Sequence, residues 1–80
     1  MQATEFVTHV TEGRIDRVTL FRPSPDAAWS IFGYGETLPE ATVNHIVLNA
    51  QGSKRLWSDL SADYQFVRKA GYRQMIEIDG

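Results

Sequence analysis

The chain has 80 residues, 42% of them hydrophobic and 22% charged, and a formal charge of −2. That is one globular domain, residues 1–80, and not a disordered chain. With no cysteine it has no disulfide framework, no thiolate zinc site and no cysteine nucleophile. A domain this small buries only about 60–65% of the surface its unfolded chain exposes, so its core is marginal. The small negative charge gives no broad pull toward nucleic acid or acidic membranes. No apolar run is long enough to cross a bilayer. The opening MQATEFVTHVTEG lacks the basic and apolar regions of a signal peptide, so a soluble cytoplasmic protein is expected.

Thr4 to Val10 alternates, with Phe6, Thr8 and Val10 on one face and Val7 and His9 on the other, which predicts a half-buried strand. Thr11 to Arg14 predicts a tight turn, with Gly13 at positive φ. Ile15 to Arg22 reads as a second strand. Its Val18 and Leu20 share one face, and Arg17, Thr19 and Phe21 the other. Pro23 and Pro25 break the ladder, because proline has no N–H to donate. Ala28 to Tyr34 predicts a third strand, with Trp29 and Ile31 on one face and Phe32 and Tyr34 on the other. Three short strands with short turns imply an antiparallel meander.

Gly35 ends this sheet. Thr37-Leu38-Pro39-Glu40 has the form of a capping box and predicts a helix through about Ala50, burying Val43, Ile46, Val47 and Ala50. Gly52 is its stop. Ser53 to Trp57 fits either an early start of the next helix or a short edge strand. The strand is preferred, since Ser58 and Asp59 read as a fresh start. The second helix carries Leu60, Tyr64, Val67 and Ala70 as its apolar stripe, with Phe66 beside them. Asp59, Asp63, Arg68 and Lys69 take the other faces. Ser58, Asp59 or Ser61 can each cap it. Gly71 closes it in the left-handed region, and Tyr72 to Ile78 forms a last strand with Ile76 and Ile78 toward the helix. The expected fold is α+β: a three-stranded antiparallel meander followed by two helices and a C-terminal strand, in the order β-β-β-α-(β)-α-β.

Chemistry is sparse. His9 and His45 each stand without an acidic or histidine partner at metal spacing. Asp59 and Asp63 share a helix edge, but hard cations need more oxygen ligands than two, so this is a solvated face. Gly33-Tyr34-Gly35 lacks the third glycine of a dinucleotide loop, where Leu38 stands. Gly52-Ser53-Lys54 has its serine and lysine in the wrong order for a phosphate loop. Ser30 lacks the glycines of a nucleophile elbow. No catalytic residue, metal or cofactor is assigned, and a non-enzyme is expected.

Two binding functions remain. Two thin helices cover one face of a small sheet. Phe21, Phe32 and Tyr34, with Trp29, then form a surface for a protein partner, and pairing two copies would hide it. A homodimer or an unidentified protein partner is therefore expected. The alternative is single-stranded nucleic acid, with Arg14, Arg17 and Arg22 tracking the backbone and the aromatic rings stacking on bases.

The stretch LWSDLSADYQFVRKAGYRQMIEI, about the last quarter of the chain, resembles the tail of small uncharacterised proteins found on plasmids and integrative elements. The shared pattern is helix, glycine, strand. The resemblance implies an accessory protein of a mobile element and transfers no catalytic residue.

Overall fold

The computed structural model describes residues 1–41 and 44–80. Its elements are α1 (Ala3–Thr11), β1 (Arg17–Phe21), β2 (Ser30–Tyr34), α2 (Leu60–Lys69) and β3 (Ile76–Asp79). The fold is α+β, but the three-stranded sheet is mixed, in the order β2-β1-β3. β1 runs antiparallel to β2 and parallel to β3, so the expected meander is corrected.

The first correction lies in α1, where a strand was expected. Glu5 Oε1 accepts the N–H of Gln2 at 2.9 Å and so caps the start of a helix. Ala3, Phe6 and Val10 then fall on one side at helical spacing and meet the core, with Phe6 fully buried. Thr8, which alternation placed beside Phe6, is exposed and donates to the Thr4 carbonyl at 3.0 Å. The short alternating pattern fitted both periods, and the cap and core contacts select the helix.

The β1–β2 ladder keeps the expected faces. Val18, Leu20, Trp29 and Ile31 are buried on the inner side, toward α1 and α2. Gly33 also faces inward, and a Cβ there would lie 3.0 Å from the Phe6 ring. Gly13 takes φ +74 in the turn that leads to β1.

The helix expected through Ala50 is absent from the described residues. Its Thr42 and Val43 lie outside them. Residues 45–47 instead run along the outer edge of β2: Gly33 N–H donates to His45 O at 2.8 Å, and Val47 N–H to Ile31 O at 2.9 Å. β-branched Ile46 and Val47 suit that extended course better than a helix. Asn49 Oδ1 then accepts the N–H groups of Gln51 and Ser53, each at 3.0 Å, and Gly52 takes φ +83. Gly52 therefore turns a hairpin and stops no helix. The chain returns through an isolated antiparallel bridge between Lys54 and Leu48, and Trp57 pairs with Trp29 in another, so residues 53–57 follow the sheet edge without forming the expected strand. With this segment on the edge of β2, β3 adds beside β1, and a parallel pair results.

In α2, Asp59 is the cap that forms, accepting Ala62 N–H at 2.8 Å. The phase of the helix differs from the expected stripe. Asp63 is 0% exposed and Tyr64 is 39% exposed, so Asp63 holds the central place assigned to Tyr64. Val67 and Ala70 are buried as expected. Arg68 Nη1 donates to the carbonyls of Tyr72 and Gln74 at 3.0 and 2.8 Å, so these carbonyls are satisfied by a side chain in a stretch that lies outside the ladder. The strand begins at Ile76, four residues later than expected. Ile76 packs against the core, while Ile78 is 54% exposed, which corrects its expected place under the helix.

Gly71 ends α2 at φ +104, as expected. A Cβ built there would meet only Val10 Cγ1, at 3.9 Å, so backbone strain and not crowding opposes a side chain. Gly71→Val is expected to destabilise by about 1–2 kcal/mol. In thermal melts that is a fall of at least about 4 °C for a domain this small. An unchanged melting temperature would refute the strain argument.

Candidate aromatic face and its surroundings

Alternation along β1 and β2 sends Arg17, Thr19 and Phe21, with Phe32 and Tyr34, to the sheet face opposite α1 and α2. The register places Thr19 opposite Phe32 and Arg17 opposite Tyr34. The rings form a row. Phe21 meets Phe32 edge to face at 6.2 Å, Phe32 stacks on Tyr34 at 6.3 Å, and Tyr34 stacks on His45 at 4.9 Å. These separations suit attraction between aromatic quadrupoles. The Arg17 guanidinium lies 4.3 Å from the Tyr34 ring centre, within cation–π range.

His45 joins the row because residues 45–47 lie beside β2. Its Nδ1 is 3.2 Å from Gly33 O. A carbonyl only accepts, so Nδ1 carries the proton and donates. Sequence reasoning missed this residue by placing it on a helix. The β-branched run beside it was the available signal for an extended segment.

Phe21, Phe32 and Tyr34 are half-buried, each partly screened by its neighbours in the row. Trp29 stands apart from them. It is 5% exposed, belongs to the core and pairs with Trp57. On the far side of β1 the same sheet face turns acidic, because Glu77 pairs with Thr19 and Asp79 with Phe21 in the β3 ladder. Thr19 Oγ1 donates to Glu77 Oε2 at 3.5 Å.

The three arginines of the nucleic-acid alternative do not converge. Arg17 lies on the aromatic face. Arg14 pairs with Glu12 at 2.7 Å, and its Nη1 donates to His9 Nδ1 at 3.3 Å. Arg22 donates to Pro25 O and Gly80 O and lies 4.5 Å from the Trp29 ring centre.

Two further features were not legible beforehand. A cleft of about 440 Å³ beside α1 is bordered by Glu5, His9, Arg14 and Asn44. Glu5 and His9 sit four apart on one helix face, a relation hidden while this segment read as a strand. The second feature is Asp63, whose carboxylate oxygens are both buried without a hydrogen-bond partner. Burial pushes its pKa up to about 6. Backbone N–H groups of Tyr64 and of Asp63 itself pull it back without completing a hydrogen bond, and the Asp59 charge adds to the rise. The spacing of Asp59 and Asp63 predicts a solvated pair, but Asp59 is exposed and Asp63 is buried.

Among the described residues no group of three His, Cys, Asp or Glu is placed to hold a metal ion, and no helix is long and apolar enough to cross a membrane. No protein-family model, curated protein or solved structure matches the chain.

Proposed function

We propose that this protein is a small non-enzymatic interaction module that pairs with a second copy of itself through the outer face of its sheet. The observation that carries this reading is the row Phe21, Phe32, Tyr34 and His45, on the face that neither helix covers. A second copy related by a two-fold axis would bury the row against its own counterpart. The face also has opposite charges at its two sides, with Arg17 beside Tyr34 and Glu77 and Asp79 on β3. A two-fold axis can bring the cation of each copy to the acids of the other. For a chain of this length, the added apolar burial enlarges a small core. An accessory role on a mobile element rests on the resemblance of residues 56–78 alone.

Single-stranded nucleic acid is the weaker occupant of the same face. Arg14 and Arg22 are committed elsewhere, and Glu77 and Asp79 repel phosphate. Light scattering at micromolar concentration tests the proposal. Wild-type protein is expected at twice the 9.1 kDa chain mass. Phe32→Glu is expected to give a folded monomer or insoluble protein, and Glu40→Ala to leave assembly unchanged. A wild-type mass of one chain refutes the homodimer. A salt-sensitive shift of a labelled oligonucleotide, lost in Arg17→Ala, would favour nucleic acid in its place.

A further inference from the structure

We propose that the open edge of β3 binds an extended peptide in which basic residues alternate with aliphatic ones, added as a fourth strand beside β3. This goes beyond the pairing of sheet faces and uses a different surface, the backbone edge.

Among the described residues β3 has a ladder partner on one side only, β1. The carbonyl of Asp79 accepts Arg22 N–H at 3.0 Å, so Asp79 turns its backbone polar groups toward β1. In a parallel ladder these groups alternate in direction along the strand. Ile76 and Ile78 therefore turn their N–H and C=O groups outward, away from β1. Such an edge is a template for one more strand.

The side chains select what that strand carries. Glu77 and Asp79 are exposed on the outer sheet face, while Ile76 and Ile78 lie on the inner side. Ile78 is 54% exposed, and Met75, just before the strand, is 83% exposed. A strand placed alongside puts alternate residues on these two faces. Lysine or arginine on the outer face would meet Glu77 and Asp79, and aliphatic side chains on the inner face would cover Ile78. A second copy of β3 fits less well. When two β3 strands pair antiparallel so that Ile76 and Ile78 exchange their backbone bonds, Glu77 stands directly opposite Glu77, and like charges there destabilise the pair. The charge pattern thus argues for a basic partner strand over self-pairing.

The test uses intact ¹⁵N-labelled protein and the synthetic peptide acetyl-Lys-Val-Lys-Val-Lys-amide. Amide shifts are expected at residues 75–79, largest at the N–H groups of Ile76 and Ile78. The same peptide with N-methylated valines lacks the donors that a strand requires, and it is expected not to shift these amides. The Glu-Val analogue is also expected to fail. Reversing both charges, Glu77→Lys with Asp79→Lys, is expected to weaken the basic peptide roughly tenfold and to admit the acidic one. An equal response to the N-methylated peptide, or no shift of residues 75–79 at millimolar peptide, overturns the proposal. The edge is open in one chain or two, so this titration reads the edge, and light scattering separately reads the face.

Discussion

Wild-type protein is expected to lose about 3 kcal/mol of stability through Asp63 alone as the pH rises from about 4 to above about 6, and Asp63→Asn is expected to remove that loss. The cause is the buried carboxyl on the inner face of α2, with neither oxygen hydrogen-bonded. Burial penalises the charged form, and the pKa rises from 3.8 to about 6. The folded protein then holds this proton more tightly than the unfolded chain does. The stabilising contribution is fully present below the unfolded value of 3.8 and is lost as the pH passes through about 6. Urea unfolding of both proteins across pH 4 to 8 measures it. The histidines and remaining carboxylates are common to both, so they cancel in the difference to first order. A wild-type minus variant difference that stays flat across this range would show that Asp63 is solvated or paired, and the buried-carboxyl account would fail.

Much of the fold was legible where one period dominated. β1 and β2 have alternation that no helix reproduces, and Val18 and Leu20 share the buried face as one set, while Trp29, expected at the partner surface, joins the core beside Ile31. Gly71 at positive φ and the Asp59 cap also follow from local chemistry. The misreadings share a cause. Thr4–Val10 and the segment up to Ala50 each carry patterns that suit two structures, and tertiary pairing decided between them. Gln2 and Glu5 capped the first into a helix, and the edge of β2 drew residues 45–47 into extended backbone. The β-branched Ile46 and Val47 were the local signal for that second event, whereas the parallel placement of β3 beside β1 is a long-range pairing that no local pattern announces. The candidate face was half legible. Phe21, Phe32 and Tyr34 were placed together by alternation, whereas His45 entered only through the misread segment. Asp63 was hidden because Tyr64, the next residue, also lies at helical spacing from Leu60 and Val67 and is the more apolar of the two, whereas the protein buries the carboxyl and leaves the tyrosine partly exposed.

Val67→Asp is the substitution expected to do the most damage. Val67 is fully buried, one turn beyond Asp63 on the same side of α2. The new carboxylate would lie among apolar neighbours, and the side chain one turn back on the same side would be another buried carboxyl, while Arg68 beside it is turned to the Tyr72 and Gln74 carbonyls. An uncompensated buried charge costs about 3–5 kcal/mol, before the lost packing of the valine is counted. The whole stability expected of 80 residues is only about 4–12 kcal/mol. At neutral pH, where Asp63 is itself mostly ionised, cooperative thermal unfolding is expected to vanish. Val67→Ala, which removes packing without adding charge, is expected to cost only about 2 kcal/mol and to keep a cooperative transition. Near pH 4 both carboxyls in the Asp variant can be protonated, and one can donate a hydrogen bond to the other. Part of the lost structure should therefore return in acid, as near-ultraviolet circular dichroism would show. A variant that melts within a few degrees of wild type at neutral pH would mean that this face of α2 does not pack inward. A variant that stays unfolded in acid would mean that lost packing, and not buried charge, governs the site.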